Sequence, residues 1–189
     1  MKQPPFLSLI AALGENRVIG TERGLPWHLP RDLKRFRELT WGKPLILGRK
    51  TMETLGAPLK GRPHIVLTHQ ASLPFEGIHL VHDVREALLV AQNLATELGC
   101  QESMVIGGEQ IYRLFLPYIQ RMYLTIVQGS FPGSAFFPEY LPGGQHWQVV
   151  RSEFVPADDR NPHAHRFVVL EPSEGTRRRA EGRGPRWGG

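Results

Sequence analysis

The segment from Leu25 to Thr40 sets one carboxylate, Asp32, beside an apolar stripe, a pairing of side chains that can do chemistry. Pro30 stands where a helix can begin, because proline is tolerated at the first helical position. Counted from there, Asp32 falls in the first turn, and Leu29, Leu33 and Phe36 share one face that the carboxylate borders. A single acid at the rim of an apolar cleft suits a flat heterocycle carrying an amide-type N–H and an amino group, since both donors can bond one carboxylate side by side. Taken alone, Asp32 reads more simply as a complement to the positive end of a helix dipole. Trp27, Leu33 and Phe36, taken alone, read as ordinary core.

Glycines and cations cluster at two further places. After the strand-like Leu45–Leu47 come Gly48, Arg49, Lys50 and Thr51, which deliver two cations and a hydroxyl to the start of a helix. After Met104–Ile106, the pair Gly107 and Gly108 opens an amphipathic stretch from Glu109 to Leu116, and residues without a Cβ let a phosphate or a ring approach the backbone. Neither turn is a Gly-x-Gly-x-x-Gly fingerprint or a Gly-x-x-x-x-Gly-Lys phosphate loop, and each alone also reads as an ordinary strand-to-helix turn. Thr68 and His69 end another strand. If these strands share a sheet, Arg49, Lys50, Thr68 and His69 converge at the carboxyl ends, where open α/β sheets bind ligands. Such a corner suits the extra ribose phosphate of NADP better than NAD. His163 and His165 have a spacing compatible with a metal, but no carboxylate or third ligand groups with them, and no metal site is expected.

The elements that must position these residues alternate. Apolar runs at Leu7–Leu13, Pro44–Leu47, Ile65–Thr68, Ser103–Ile106 and Met122–Val127 are interleaved with amphipathic stretches at Leu29–Thr40, Val84–Glu97 and Glu109–Leu116. This predicts an α/β domain around a central, mostly parallel sheet flanked by helices. Trp147–Val155 and His165–Leu170 flank a loop rich in Pro, Asp and Asn, and predict a closing antiparallel hairpin that makes the sheet mixed.

With 189 residues, 41% hydrophobic and 22% charged, the chain fits one continuous core. We expect a single domain over residues 1–172 and a basic, disordered tail over 173–189, where little can be buried. Five Arg against three Glu from Glu171 onward place +2 of the formal +5 in that tail, and the +3 left for the body does not demand a nucleic-acid partner. Cys100 is the only cysteine, so no intrachain disulfide is available and a reducing compartment, the cytoplasm, is the default. The start of the chain reads as a buried strand rather than a secretory signal. No stretch approaches the roughly 20 apolar residues of a membrane span.

Taken in order, Leu9–Ala12, Arg17–Gly20, Leu25–Trp27, Leu29–Leu33, Gly48–Thr51, Pro58–Arg62, Val105–Gly108, Tyr123–Thr125 and the pair Phe137 and Pro138 resemble the motif set of the dihydrofolate reductase family, over a span from about Phe6 to Leu170. One such motif is weak; their order and spacing carry the resemblance. It implies the single-domain fold of that family, reduction of 7,8-dihydrofolate to tetrahydrofolate by hydride transfer from NADPH, and a monomeric enzyme serving one-carbon metabolism. It implies that Asp32 is the catalytic carboxylate holding the pterin ring with Thr125 as its orienter. Ile10, Leu33, Phe36, Leu55 and Leu59 would then line the substrate, and Arg62 would take its glutamate carboxylate. The resemblance further implies that Ala12, Val18, Ile19, Gly20, Gly24 and Trp27 meet the cofactor. Gly48, Arg49, Lys50, Thr51, Thr68 and His69 would meet it at one corner, and Ile106, Gly107, Gly108, Glu109, Gln110, Ile111 and Tyr112 at the other.

One stretch departs from the family pattern. Where many relatives carry Gly-Asp-Thr shortly before a Phe-Pro pair, this chain has Gly133, Ser134 and Ala135. That acid helps hold the loop between Asn16 and Pro26 over the site in the family, so the balance of open and closed loop is expected to shift here. Two other functions compete. A reductase of similar fold acting on a pyrimidine intermediate of flavin synthesis fits less well with Arg62 and the Asp32–Phe36 pocket. A nucleotide- or RNA-binding module using the basic tail would show salt-sensitive RNA binding without turnover.

Overall fold

The computed structural model describes residues 3–20, 24–140 and 147–173. The tail expected to be disordered lies, apart from Ser173, outside these residues.

Nine apolar-rich residues, Phe6–Gly14, form β1, whose side chains are almost all buried because both faces of the strand are covered. Around it runs an eight-stranded sheet. On one side of β1 lie β6 (Glu102–Gly107), β3 (Leu45–Gly48), β4 (His64–Leu67) and β5 (Ile78–Val81), and on the other β7 (Arg121–Val127), all parallel to it. Beyond β7 come β10 (His165–Pro172), antiparallel to it, and β9 (Trp147–Val155), paired antiparallel with β10. The expected mixed sheet with a closing hairpin is therefore present. Edge strand β5 is absent from the expectation above, because only four residues of mixed polarity form it. A small second sheet pairs β2 (Val18–Gly20) with β8 (Ala135–Phe136).

Alternation along the strands separates two apolar layers. Ile10, Leu45, Met104, Tyr123, Phe167 and Val169 face α1 (Pro30–Thr40), which contributes Phe36 and Leu39. Leu47 and Val66 continue that layer against Met52 of α2 (Arg49–Leu55). The opposite layer, with Leu9, Ile46, Val105 and Leu124, packs on α3 (Val84–Leu98) and α4 (Glu109–Phe115). Helix α3 follows its alanines Ala87, Ala91 and Ala95, spaced four apart and buried, which lets the helix lie close to the strands. Among the described residues no helix is long and apolar enough to cross a membrane.

Candidate active site

Because β1, β3, β4, β6 and β7 run parallel, their carboxyl ends, Gly14, Gly48, Leu67, Gly107 and Val127, lie along one edge of the sheet. A crevice at such an edge is where open α/β sheets bind ligands. Several of the residues singled out from the sequence lie at these ends or directly follow them: Gly48 to Thr51, Thr68 and His69, and Gly107 and Gly108.

Asp32 reaches this region from the first turn of α1. Leu29, the residue before the helix, offers no side-chain cap, so the first turn needs acceptors from elsewhere. One comes from the loop between β9 and β10, where Asn161 Oδ1 accepts the Arg31 backbone N–H at 3.0 Å. Asp158 Oδ1 in turn accepts the Asn161 backbone and side-chain N–H groups at 2.7 and 2.9 Å. These hydrogen bonds hold the exposed Asp158 carboxyl below its ordinary value. Thus a buried asparagine 130 residues away fixes the entry of the helix that bears the carboxylate.

Thr125 Oγ1 donates to Asp32 Oδ1 at 2.5 Å. Thr125 is buried on β7, opposite Ala12 of β1 and Phe167 of β10, so a rigid sheet orients the acid. Burial raises the Asp32 pKa above the ordinary 3.8, and the Thr125 hydrogen bond, then His165, then Arg35 oppose that rise. Desolvation wins. The site therefore holds a carboxyl able to carry a proton nearer neutrality than an exposed aspartate does.

Ile10, Phe36, Leu59 and Ile106 belong to one apolar cluster beside Asp32's helix, whereas Leu33 and Leu55 are 53% and 37% exposed and stay outside it. Leu33 thus sits on the open side of α1, whereas Leu29 is buried with Trp27 and Val127. Trp27 is buried and meets Phe131 edge-on, ring centres 5.0 Å apart. Arg62 donates through Nη1 to Thr40 Oγ1 at 3.1 Å and through Nε to the Lys60 carbonyl at 3.0 Å, and its guanidinium stacks over Trp41.

Sequence reasoning passed over His64, a buried residue that ties this wall together. Its Nε2 accepts the Leu59 N–H at 2.9 Å and its Nδ1 lies 2.7 Å from the Arg62 carbonyl, a pattern that one neutral tautomer satisfies. Burial, the largest influence, lowers its pKa and favours that neutral form. An isolated histidine in an apolar strand gives no sign in sequence of which loop it will staple.

At the other end of the crevice, Arg49 and Lys50 open α2 just beyond β3, and Thr68 and His69 follow the neighbouring strand β4. Arg49 pairs with Glu53 at 2.8 Å, Lys50 and His69 are exposed, and the Thr68 hydroxyl accepts the Gln70 N–H. Thr51 Oγ1 would stand 3.5 Å from a Cβ on Gly108, so the two turns read from the sequence lie side by side. Gly107 has φ +116°, and a Cβ there would come within 3.0 Å of the Tyr112 hydroxyl. Only glycine fits that turn. The Gly107–Gly108 peptide is cis. Tyr112 is buried, its hydroxyl 2.8 Å from both the Ile10 and Ile106 carbonyls, and burial holds it well above the ordinary phenol range. It pins β1 to β6 directly beneath the glycine pair. A Cβ on Gly48 would stand 3.0 Å from the Ile111 side chain, while Gln110 is exposed and the Glu109 carboxylate accepts the Phe136 N–H at 2.9 Å.

The loop that begins at Asn16 is zipped to the segment 131–137. Asn16 Nδ2 donates to the Phe131 carbonyl at 2.8 Å, Val18 and Gly20 pair with Phe136 and Ala135, and Arg17 Nη1 donates to the Phe137 carbonyl at 2.8 Å. Ile19 packs against the core, and Gly24 resumes the chain beyond the undescribed 21–23. A Cβ at Gly133 would come within 2.4 Å of Val18 and 2.5 Å of the Gly20 carbonyl, so glycine is what permits the two segments to close together. Ser134 is exposed and no hydrogen bond of its side chain is among these contacts. Among the described residues no group of three or more His, Cys, Asp or Glu could hold a metal ion.

Comparison with known proteins bears on this arrangement. Residues 6–172 match the family described as dihydrofolate reductase. The chain is 42% identical over 165 residues to dihydrofolate reductase type 3 of Salmonella typhimurium, spanning 87% of this chain and 97% of that protein. It is 37% identical over 166 residues to dihydrofolate reductase of Bacillus subtilis, with 88% and 94% of the two chains covered. Among solved structures, dihydrofolate reductase from Enterococcus faecalis complexed with NADP(H) and RAB-propyl superposes with a TM-score of 0.81 at 34% identity, covering 89% of this chain and 97% of that one.

Proposed function

The chain belongs to the dihydrofolate reductase family, and from that premise we propose how its own residues carry out NADPH-dependent reduction of 7,8-dihydrofolate to 5,6,7,8-tetrahydrofolate. The observation that carries the assignment is Asp32, half-buried at the mouth of the crevice with Thr125 donating to it at 2.5 Å. Asp32 takes the paired N–H donors of the pterin ring through one carboxylate, and Thr125 fixes which way that carboxylate faces. Because burial lifts its pKa, Asp32 is also able to carry a proton at a pH where an exposed aspartate would not, in a step that adds one proton to a ring nitrogen. Ile10, Phe36 and Leu59 form the apolar wall for the ring and the benzoyl group, with the exposed Leu33 and Leu55 at its rim. Arg62, set by Thr40 and the His64-stapled loop, meets the glutamate carboxylate.

The residues present suit the cofactor. Gly107 and Gly108 leave backbone room that a Cβ would fill, and Arg49, Lys50 and His69 stand at adjacent strand ends where phosphates need cations. NADPH, when bound, supplies the hydride. Ala12 from β1, with Ile19, Gly20 and Trp27 from the segment after it, would border the same space, Trp27 packed edge-on against Phe131. The finer reading, a cytoplasmic protein without an obligate nucleic-acid partner, rests on the lone cysteine and the modest charge of the body, and the monomer on the family resemblance.

The test is NADPH oxidation with and without dihydrofolate, native chain against Asp32→Asn. Substrate-dependent oxidation that falls by about a hundredfold or more in the variant supports the activity and the carboxylate. Full turnover in a folded Asp32→Asn chain would remove Asp32 from the mechanism.

A further inference from the structure

Glu109 opens α4 directly after the glycine pair, and its Oε1 accepts the backbone N–H of Phe136 at 2.9 Å. An acid in a first helical turn commonly does no more than complement the helix dipole. This one also reaches out of its own element, to a residue 27 positions further along the chain. Phe136 is one of the two residues of β8, whose one strand partner is β2. A two-stranded pairing this short is marginal in water, so it needs anchoring to the body of the fold. Helix α4 supplies that anchor twice. Phe137, fully buried, meets the Tyr112 ring edge-on with ring centres 5.2 Å apart, and Glu109 takes the neighbouring N–H of Phe136.

We propose that Glu109 is a positioning residue for the cofactor: its carboxylate ties β8, and through β8 the β2 residues Val18 and Gly20, to the helix that starts at Gly107 and Gly108. The register carries the tie across, since Phe136 pairs with Val18 and Ala135 with Gly20. Ser134, the residue before β8, stands where the family pattern has an acid that helps hold this loop, and Glu109 brings a carboxylate to the same strand from α4 instead.

The resemblance counts Glu109 among the cofactor contacts, yet a carboxylate turned toward a phosphate would repel it. Engaged by Phe136, it leaves the glycine backbone to the cofactor. Arg113, one turn on, lies 4.0 Å from the same oxygen and is 61% exposed, so this ion pair contributes little and the Phe136 bond keeps a charged acceptor. Cofactor seated against Gly107 and Gly108 and the placement of β2 then favour each other, and by linkage the favour is equal in both directions.

The inference rests on the reading that NADPH lies between the glycine pair and β2, so binding is measured apart from turnover. NADPH affinity and dissociation rate are followed by nicotinamide fluorescence, and hydrogen exchange at the Phe136 amide by NMR, in the native chain, Glu109→Gln and Glu109→Ala. Glu109→Gln keeps an acceptor without the charge. The expected result is loss of Phe136 protection in Glu109→Ala with NADPH released about fivefold faster or more, and Glu109→Gln falling between it and the native chain. Unchanged protection and release in folded Glu109→Ala overturns the proposal. A lower melting temperature with unchanged NADPH release leaves Glu109 only its helix-dipole role and overturns it as well. A native chain that binds no NADPH overturns the cofactor reading of the site instead, while the Phe136 exchange still decides whether Glu109 holds β8.

Discussion

Asp32 is held where its charge is unwelcome, and that has a consequence for stability as well as for chemistry. Its folded-state pKa is raised, chiefly by burial, above the ordinary 3.8. A carboxyl of this kind contributes stability that is fully present below the unfolded-state value and is lost as pH rises through the folded one. Near neutrality the ionised Asp32 therefore costs the fold, and Asp32→Asn should melt at a higher temperature than the native chain, even as it loses activity. The gain should shrink as the pH is lowered toward 4, and thermal melts at several pH values read both trends; a variant that melts lower at neutral pH contradicts them. Much of this residue's role is legible in the sequence, because Pro30 fixes the helix start and the start fixes the turn on which Asp32 lies. The threonine that orients it is not, since Thr125 is 93 residues away and enters only through the family resemblance. His64 and Tyr112 act through partners that no local pattern announces.

Helix α1 owes its first turn to a loop on the far side of the chain sequence, and this contact can be tested on its own. Asn161→Ala removes the acceptor for the Arg31 N–H and frees the turn in which Asp32 sits. The loss of a helix cap is worth about 1 kcal/mol, which chemical denaturation would register. A carboxylate allowed to wander should raise the KM for dihydrofolate more than it lowers the rate of hydride transfer. Equal effects on a distant α3 cap and on Asn161 would deny it any special link to the site. The pairing of β2 with β8 raises a second question. It is made by backbone bonds and by Asn16 and Arg17, while Ser134, where relatives carry an acid, is exposed. Ser134→Asp should therefore change the exchange rate between open and closed loop and the rate of product release, with little change in the chemical step. Relaxation-dispersion rates identical in both chains would exclude that effect. The long elements of the fold could be read beforehand because each buries an unbroken periodic stripe. Strands β2, β5 and β8 could not, since two to four residues carry no period and their pairing depends on segments brought in from elsewhere.

At the scale of the whole molecule, the sheet keeps its chemistry and its most concentrated charge network at opposite ends. Asp32 and the glycine turns border the carboxyl ends of the strands, whereas Glu102 sits at the amino end of β6, where Phe6 of β1 pairs with it. Glu102 is buried and fully engaged. Lys43 Nζ lies 2.6 Å from Oε1, while Ser8 and Tyr123 donate their hydroxyls to Oε2 and Arg121 stands 3.8 Å away with Glu171 as its second partner. Removing one member of a buried ion pair can cost 3 to 5 kcal/mol because the remaining charge is stranded. Here Lys43 and Arg121 keep some contact with water, at 24% and 34% exposure, and Arg121 keeps Glu171, so the cost should be smaller. For Glu102→Gln about 2 kcal/mol is expected, the order of a lost charged hydrogen bond, lowering Tm by roughly 4 to 8 °C in a domain of this size. Hydride transfer in the folded variant should match the native rate, since the side-chain partners of Glu102 are Ser8, Lys43, Arg121 and Tyr123, away from Asp32 and the glycine turns. A rate loss larger than the unfolded fraction explains would instead mean that the two ends of the sheet are coupled through β1 and β7.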